Sequence, residues 1–146
     1  MKHFLALKEL AYSELSGLIE KAVEVKKNPE KFSNALLQKS LLMFFEQPSV
    51  RTRVSFEVGL TQLGGHAIYY NISESTLGKK ESIADFSQTV SRYADFIMAR
   101  LNAHEQLEEL AKFSSVPVIN AMTNFEHPCQ GVADFQTIFE KKGKFK

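Results

Sequence analysis

The chain has 146 residues, 44% of them hydrophobic and 24% charged, which is the make-up of an ordinary globular domain long enough to bury a core. Its 18 Lys+Arg against 17 Asp+Glu leave a net charge of +1, so no general attraction to nucleic acid or an anionic membrane follows, and any anion site has to be local. The single cysteine, Cys129, excludes an internal disulfide framework and a cysteine-rich zinc site, and fits a reducing compartment.

The opening MKHFLALKEL has no apolar core followed by a small-residue cleavage site, and no apolar run nears the roughly 20 residues that span a bilayer. The expectation is a cytoplasmic chain. In SELSGLIEKAVEVKKNPEKF, Leu15, Leu18, Ile19, Ala22 and Val23 recur at helical spacing and predict one buried stripe. Ser13 is its expected N-cap, and the lysines and proline of KKNPE end it. LLMFFE, residues 41–46, is a short apolar run of the kind found in strands covered on both faces. RVSFEVGLTQLGG follows as a helix with Phe56, Leu60 and Leu63 on one side and Gly64 and Gly65 as its stop.

HAIYYNI is rich in strand formers, and SESTLGKKES is a polar loop. A helix is predicted from Ser82, its apolar face made by Ile83, Phe86, Val90 and Ala94. FIMAR (96–100) reads as a buried strand, HEQLEELAKF as a helix and VPVINA (116–121) as a strand. CQGVADFQTIFEKKG closes the series as a helix carrying Val132, Phe135, Ile138 and Phe139 and stopped by Gly143. Strands alternating with helices imply an α/β fold, a single domain in which a parallel sheet has helices on both faces in three αβα layers. Ligands of such sheets gather at the carboxyl ends of the strands, here the loops 46–52, 72–81, 100–104 and 121–130.

Three of these loops hold residues suited to an anion or a polarised carbonyl. Ser49, Val50, Arg51 and Thr52 fall where a strand ends and a helix begins, so free backbone N–H groups, hydroxyls and a planar guanidinium meet there. The plainer reading is a capping serine beside solvated arginines, Arg51 and Arg53. Arg100 ends a buried strand, either as a ligand contact or as an arginine snorkelling at a sheet edge. His127 and Gln130 flank Pro128 at a helix start, either as donor and acceptor to a carbonyl and an amide or as a helix cap with proline in the first turn. Cys129 reads as packing or as a neutral lining residue. Lys79 and Lys80 read as loop lysines, and His3, His66 and His104 as structural, since none has metal-ligand spacing. Neither a GxxxxGK[ST] nor a GxGxxG motif is present.

FFEQPSVRTRVSFE, LGKKESIAD, ADFIMAR and HPCQ, in that order, resemble the carbamoyl-phosphate-binding N-terminal domain of the aspartate/ornithine carbamoyltransferases, over nearly the whole chain. The resemblance turns the choice at residues 49–52 toward an anion socket. It implies that Ser49, Val50, Arg51 and Thr52 hold the phosphate of carbamoyl phosphate, and that Thr52, Arg100 and His127 face its carbonyl oxygen. It further implies that Gln130 meets the carbamoyl amino group, with Arg51, Thr52, Arg100 and His127 as the catalytic set. Lys80 would lie in a loop reaching a neighbouring subunit's site. A homotrimer or higher assembly is implied, with no cofactor and no metal.

The reaction implied is transfer of a carbamoyl group to the side-chain amine of L-ornithine, giving citrulline and phosphate. The wording of HPCQ, TNFEHP and QLGGHAIYY is nearer the ornithine enzymes than the aspartate ones. Aspartate as acceptor, and a non-catalytic assembly module of the same fold, stay open as alternatives. A full family member is about two domains long, so residues 1–146 are expected to be the carbamoyl-phosphate domain without the amino-acid-binding C-terminal one, and inactive alone. Two departures stand out. Val50 replaces a threonine of the family's usual STRTR, which predicts weaker phosphate binding, and Thr76 replaces a glutamine common in ornithine enzymes.

Overall fold

The computed structural model describes residues 2–72 and 81–143. Strand and helix alternate through α1 (Tyr12–Lys27), β1 (Ser40–Phe45), α2 (Val50–Gln62), β2 (His66–Asn71), α3 (Ile83–Val90), β3 (Phe96–Arg100), α4 (His104–Phe113), β4 (Val118–Met122) and α5 (Pro128–Lys142). The strands form a parallel sheet in the order β2-β1-β3-β4. β1 is central, with Leu42 opposite Ile68 on one side and Ile97 on the other.

Side chains alternate across a strand, so the apolar run of β1 feeds two cores at once. Leu42 and Phe44 join Ile97, Ala99 and Val118 beneath Phe86 of α3 and Leu107 and Leu110 of α4. Leu41, Met43 and Phe45 join Met98 and Ala121 against Leu60 and Phe56 of α2. Phe44 and Phe45 are buried, each stabilising the fold by about 1.5–3 kcal/mol of apolar burial. The expected three-layer arrangement is what forms.

The strand order fixes where a ligand can enter. From β1 the chain crosses over α2 to one side of the sheet, then returns over α3 and α4 to the other side. Right-handed crossovers put those helices on opposite faces, so the connections leaving β1 and β3 part from each other at their carboxyl ends. Turn chemistry supports each junction. The Ser82 hydroxyl caps α3 by accepting from Asp85 N–H at 3.1 Å. α2 is stopped at Gly64, whose φ of +86° brings Ser33 O within 2.7 Å of where a Cβ would stand.

At the amino end of the sheet, Asp95 accepts from Lys39 Nζ and from Ser40 N–H, each at 2.8 Å. The lysine bond first, then the backbone bond, hold its carboxyl down at about 2. At the β4 edge the N-terminal segment adds one more partner: Phe4 bridges Ile119 in parallel sense, and α1 and α5 pack together there.

Two local expectations need correction. Ser13 lies inside α1; the N-cap is Ala11, because Glu14 reaches back to accept from Ala11 N–H at 2.9 Å and starts the helix earlier. Leu18 of the α1 stripe and Ile138 of the α5 stripe are 40% and 48% exposed. Each helix presents a full apolar stripe, but at the sheet edge only part of it is covered.

Candidate functional site

A cleft of about 520 Å³ opens at the carboxyl ends of β1, β3 and β4. Ser49, Arg51, Thr52, Arg100, His127 and Gln130 all line it. Residues drawn from three loops therefore meet in one place.

The first wall is the start of α2. Ser49 is the N-cap, extended at φ −153°, and its Oγ accepts from Thr52 N–H at 3.4 Å and donates to Thr52 Oγ1 at 3.1 Å. The N–H groups of Val50 and Arg51 have no carbonyl to bond within the helix, and the helix dipole adds partial positive charge. Arg53 turns away: its Nε donates to Glu57 Oε1 at 2.9 Å and its guanidinium lies 4.0 Å from the centre of the Tyr69 ring. Among the described residues Arg51 has no such carboxylate partner, and it lines the cleft. The Val50 side chain is 79% exposed, so it contributes its backbone N–H rather than a contact of its own.

The second wall is Arg100, at the end of β3. Its Nη1 donates to Thr52 Oγ1 at 3.2 Å. Thr52 Oγ1 thus accepts from both Ser49 and Arg100, which leaves its own hydrogen to donate. Arg100 Nε is buried and, among the described residues, has no hydrogen-bond partner. A buried donor without an acceptor is costly.

The third wall is the start of α5. His127 is the N-cap, and Pro128 takes the first helical position. The capping reading of His127 holds. Its Nδ1 accepts from Gln130 N–H at 3.4 Å, so in the neutral ring the proton sits on Nε2, which can donate. Burial first, then the nearby Arg100 charge, lower its pKa from the usual histidine value, while Asp134 opposes them. The ring is neutral at pH 7. Gln130 Nε2 donates to Asp134 Oδ1 at 2.9 Å, which turns its amide oxygen into the group available to accept.

Cys129 also lines the cleft, donating from Sγ to Asn120 O at 3.3 Å. Burial pushes its thiol up to about 11, so it is a neutral wall. Ser55, Met122 and Ala133 line the cleft without having been singled out in the sequence, and so does Phe56, which the sequence marked only as core. The signal for Ser55 and Phe56 was their spacing, four residues beyond Arg51 and Thr52 on one helix face. Met122 lies at the end of β4, on the rim that the sheet rule marks. Lys79, Lys80 and Thr76 lie outside the described residues. Among the described residues no group of three His, Cys, Asp or Glu is placed to hold a metal ion, and no helix is long and apolar enough to cross a membrane.

With this geometry in hand, comparison with known proteins is specific. Residues 2–140 match the family model "Aspartate/ornithine carbamoyltransferase, carbamoyl-P binding domain". The chain is 49% identical over 140 residues to an ornithine carbamoyltransferase of Shewanella oneidensis, covering 96% of this chain and 46% of that protein. It is 49% identical over 144 residues to one of Methanocaldococcus jannaschii, covering 99% of this chain and 47% of that protein. The structure of the ornithine carbamoyltransferase from Pyrococcus furiosus superposes with a TM-score of 0.91 at 44% identity, over 98% of this chain and 46% of that one. The chain spans about half the length of the relatives it matches.

Proposed function

The chain belongs to the aspartate/ornithine carbamoyltransferase family, and from that premise we propose that it is the carbamoyl phosphate half-site of a cytoplasmic ornithine carbamoyltransferase. The observation that carries this reading is the pairing, in one cleft, of an anion socket at the α2 N-terminus with donors on Arg100 and His127 and an acceptor on Gln130. Carbamoyl phosphate needs that set: an anion socket for its phosphate, donors for its carbonyl oxygen and an acceptor for its amino group.

The phosphate rests on the α2 N-terminus, with Ser49, the Val50 and Arg51 N–H groups and the Arg51 guanidinium. The carbonyl oxygen receives hydrogen bonds from Thr52, Arg100 and His127, and the amino group donates to Gln130 Oε1. An uncharged amine adds to the carbamoyl carbon, which puts negative charge on the carbonyl oxygen. That charge returns to the C=O bond as the bond to phosphate breaks, and the departing phosphate takes up the proton the amine loses. Donors already fixed around that oxygen gain strength as the charge develops, so they favour the transition state over the bound substrate. Arg51 and the helix dipole offset the charge on the departing phosphate. The side chains that grip the amino acid come from a second domain outside residues 1–146, and the working assembly is a homotrimer.

Calorimetric titration of the chain with carbamoyl phosphate tests the half-site. Saturable binding in the millimolar range, tighter than for inorganic phosphate, is expected. No heat at millimolar ligand would count decisively against it. Assay of a longer protein containing this domain with ornithine and with aspartate decides the acceptor, ornithine being expected.

A further inference from the structure

Asn120 lies in β4 with no exposed surface, where an amide is tolerated only if its polar groups are bonded. Its N–H donates to Phe4 O at 2.8 Å, and its Nδ2 donates to Leu5 O at 2.8 Å and to Glu126 O at 3.4 Å. Its Oδ1 accepts from Met122 N–H at 2.9 Å, and its carbonyl accepts from Cys129 Sγ at 3.3 Å. One residue therefore joins the N-terminal segment, the end of β4 and the connection into α5.

Glu126 adds to this knot. Its Oε2 accepts from Leu7 N–H at 2.9 Å, and its carbonyl accepts from Thr123 N–H at 3.0 Å. Leu7 in turn packs against Gly131, where an added Cβ would stand 2.4 Å from Leu7 Cδ1. Residues 4–7 are thus fastened to the stretch that carries His127, from positions more than a hundred residues away in the chain. His127 itself has φ −119° and ψ 78°; its carbonyl accepts from Gly131 N–H at 3.1 Å, so α5 holds it on one side and the knot around Asn120 and Glu126 on the other. Neither Asn120 nor Glu126 lines the cleft.

We propose that the N-terminal segment 4–7, acting through Asn120 and Glu126, is a clamp that positions His127 and Gln130, and so sets how well the cleft distinguishes carbamoyl phosphate from bare phosphate. The proposal rests on the reading of the cleft given above. Hydrogen bonds weaken steeply with misalignment, so a small drift of the loop removes the carbonyl donor and the amide acceptor together. The socket at Ser49 to Thr52 is held by its own helix turn and does not depend on the clamp.

The test compares dissociation constants for carbamoyl phosphate and inorganic phosphate in the wild-type chain, Glu126→Ala and Glu126→Gln. NMR titration of the His127 ring is followed in each, with Arg100 and Asp134 as the charges facing it. Glu126→Ala removes the acceptor for Leu7 N–H, while Glu126→Gln keeps an oxygen there. Glu126→Ala is expected to cut the preference for carbamoyl phosphate by about three- to tenfold with phosphate affinity unchanged, and to return the ring toward ordinary titration. Glu126→Gln should behave as wild type. Leu7→Ala, which loosens packing without touching a hydrogen bond, should shift the preference the same way by less, and serves if Glu126→Ala fails to fold. A Glu126→Ala chain that keeps the wild-type preference, or that loses both ligands equally, would overturn the clamp alone. A wild type that binds both ligands alike would overturn the clamp and the reading beneath it.

Discussion

At one end of the cleft Ser49, Arg51 and Thr52 come from four consecutive residues wound into a single helix turn. At the other end Arg100 arrives from β3, and His127 and Gln130 from α5, gathered by sheet order and held by residues far away in sequence. The difference teaches how each end responds to change. A locally built socket survives anything that leaves its helix intact, because its donors are set by backbone geometry. An assembled one inherits the stability of every contact beneath it.

The largest effect is expected at the local end. Arg51→Ala should weaken carbamoyl phosphate and inorganic phosphate together, by roughly a hundredfold, since a charge-assisted bond to the shared phosphate is lost. Calorimetry on the chain measures both, and unequal losses would show that the two ends are not separate. His127→Ala should weaken carbamoyl phosphate by about tenfold and leave inorganic phosphate within about twofold.

Acidity sharpens the same contrast. Burial and the Arg100 charge lower the His127 pKa, so the midpoint of the ring's titration falls below the ordinary value of 6.5 and the neutral form predominates down to that pH. Protonation places a hydrogen on Nδ1, which then faces the Gln130 N–H it had accepted from. The contribution of His127, measured at each pH as the ratio of wild-type to His127→Ala affinity for carbamoyl phosphate, should fall with a midpoint below 6.5. A decline centred above that value would contradict the buried placement of the ring.

Smaller effects follow. Val50→Thr restores a hydroxyl at the phosphate end and should tighten both ligands by about two- to fivefold. At the amino end of the sheet, Asp95→Asn should leave ligand binding unchanged while altering acid stability. The Asp95 carboxyl is held at about 2 against an ordinary 3.8, so its stabilising effect is complete above 3.8 and is lost as pH falls toward 2. Thermal melts across that range should show a shallower acid limb in the variant.

Much of this was legible in the sequence, and unevenly so. FIMAR was read as a strand and found as β3, because an apolar run bounded by polar residues has few alternatives in a parallel sheet. That Ser49, Arg51 and Thr52 share a helix start was legible because they are neighbours; the choice of an anion socket over a capping serine came from the resemblance, not from local chemistry. The helix start at Ala11 was missed because Glu14 caps it from inside the first turn, where a serine two residues later looked the better cap. The exposed Leu18 shows that periodicity marks a stripe without saying what covers it. Asn120 and Glu126 carried no signal at all, since their meaning lies in partners more than a hundred positions distant.

The most direct test of the whole account is a crystal structure of the chain with carbamoyl phosphate. The phosphate should sit on the N–H groups at the start of α2, with the carbonyl oxygen within hydrogen-bond reach of Thr52, Arg100 and His127 and the amino group on Gln130. A ligand bound with its carbamoyl group turned away from Arg100 and His127, or seated outside the cleft, would contradict it.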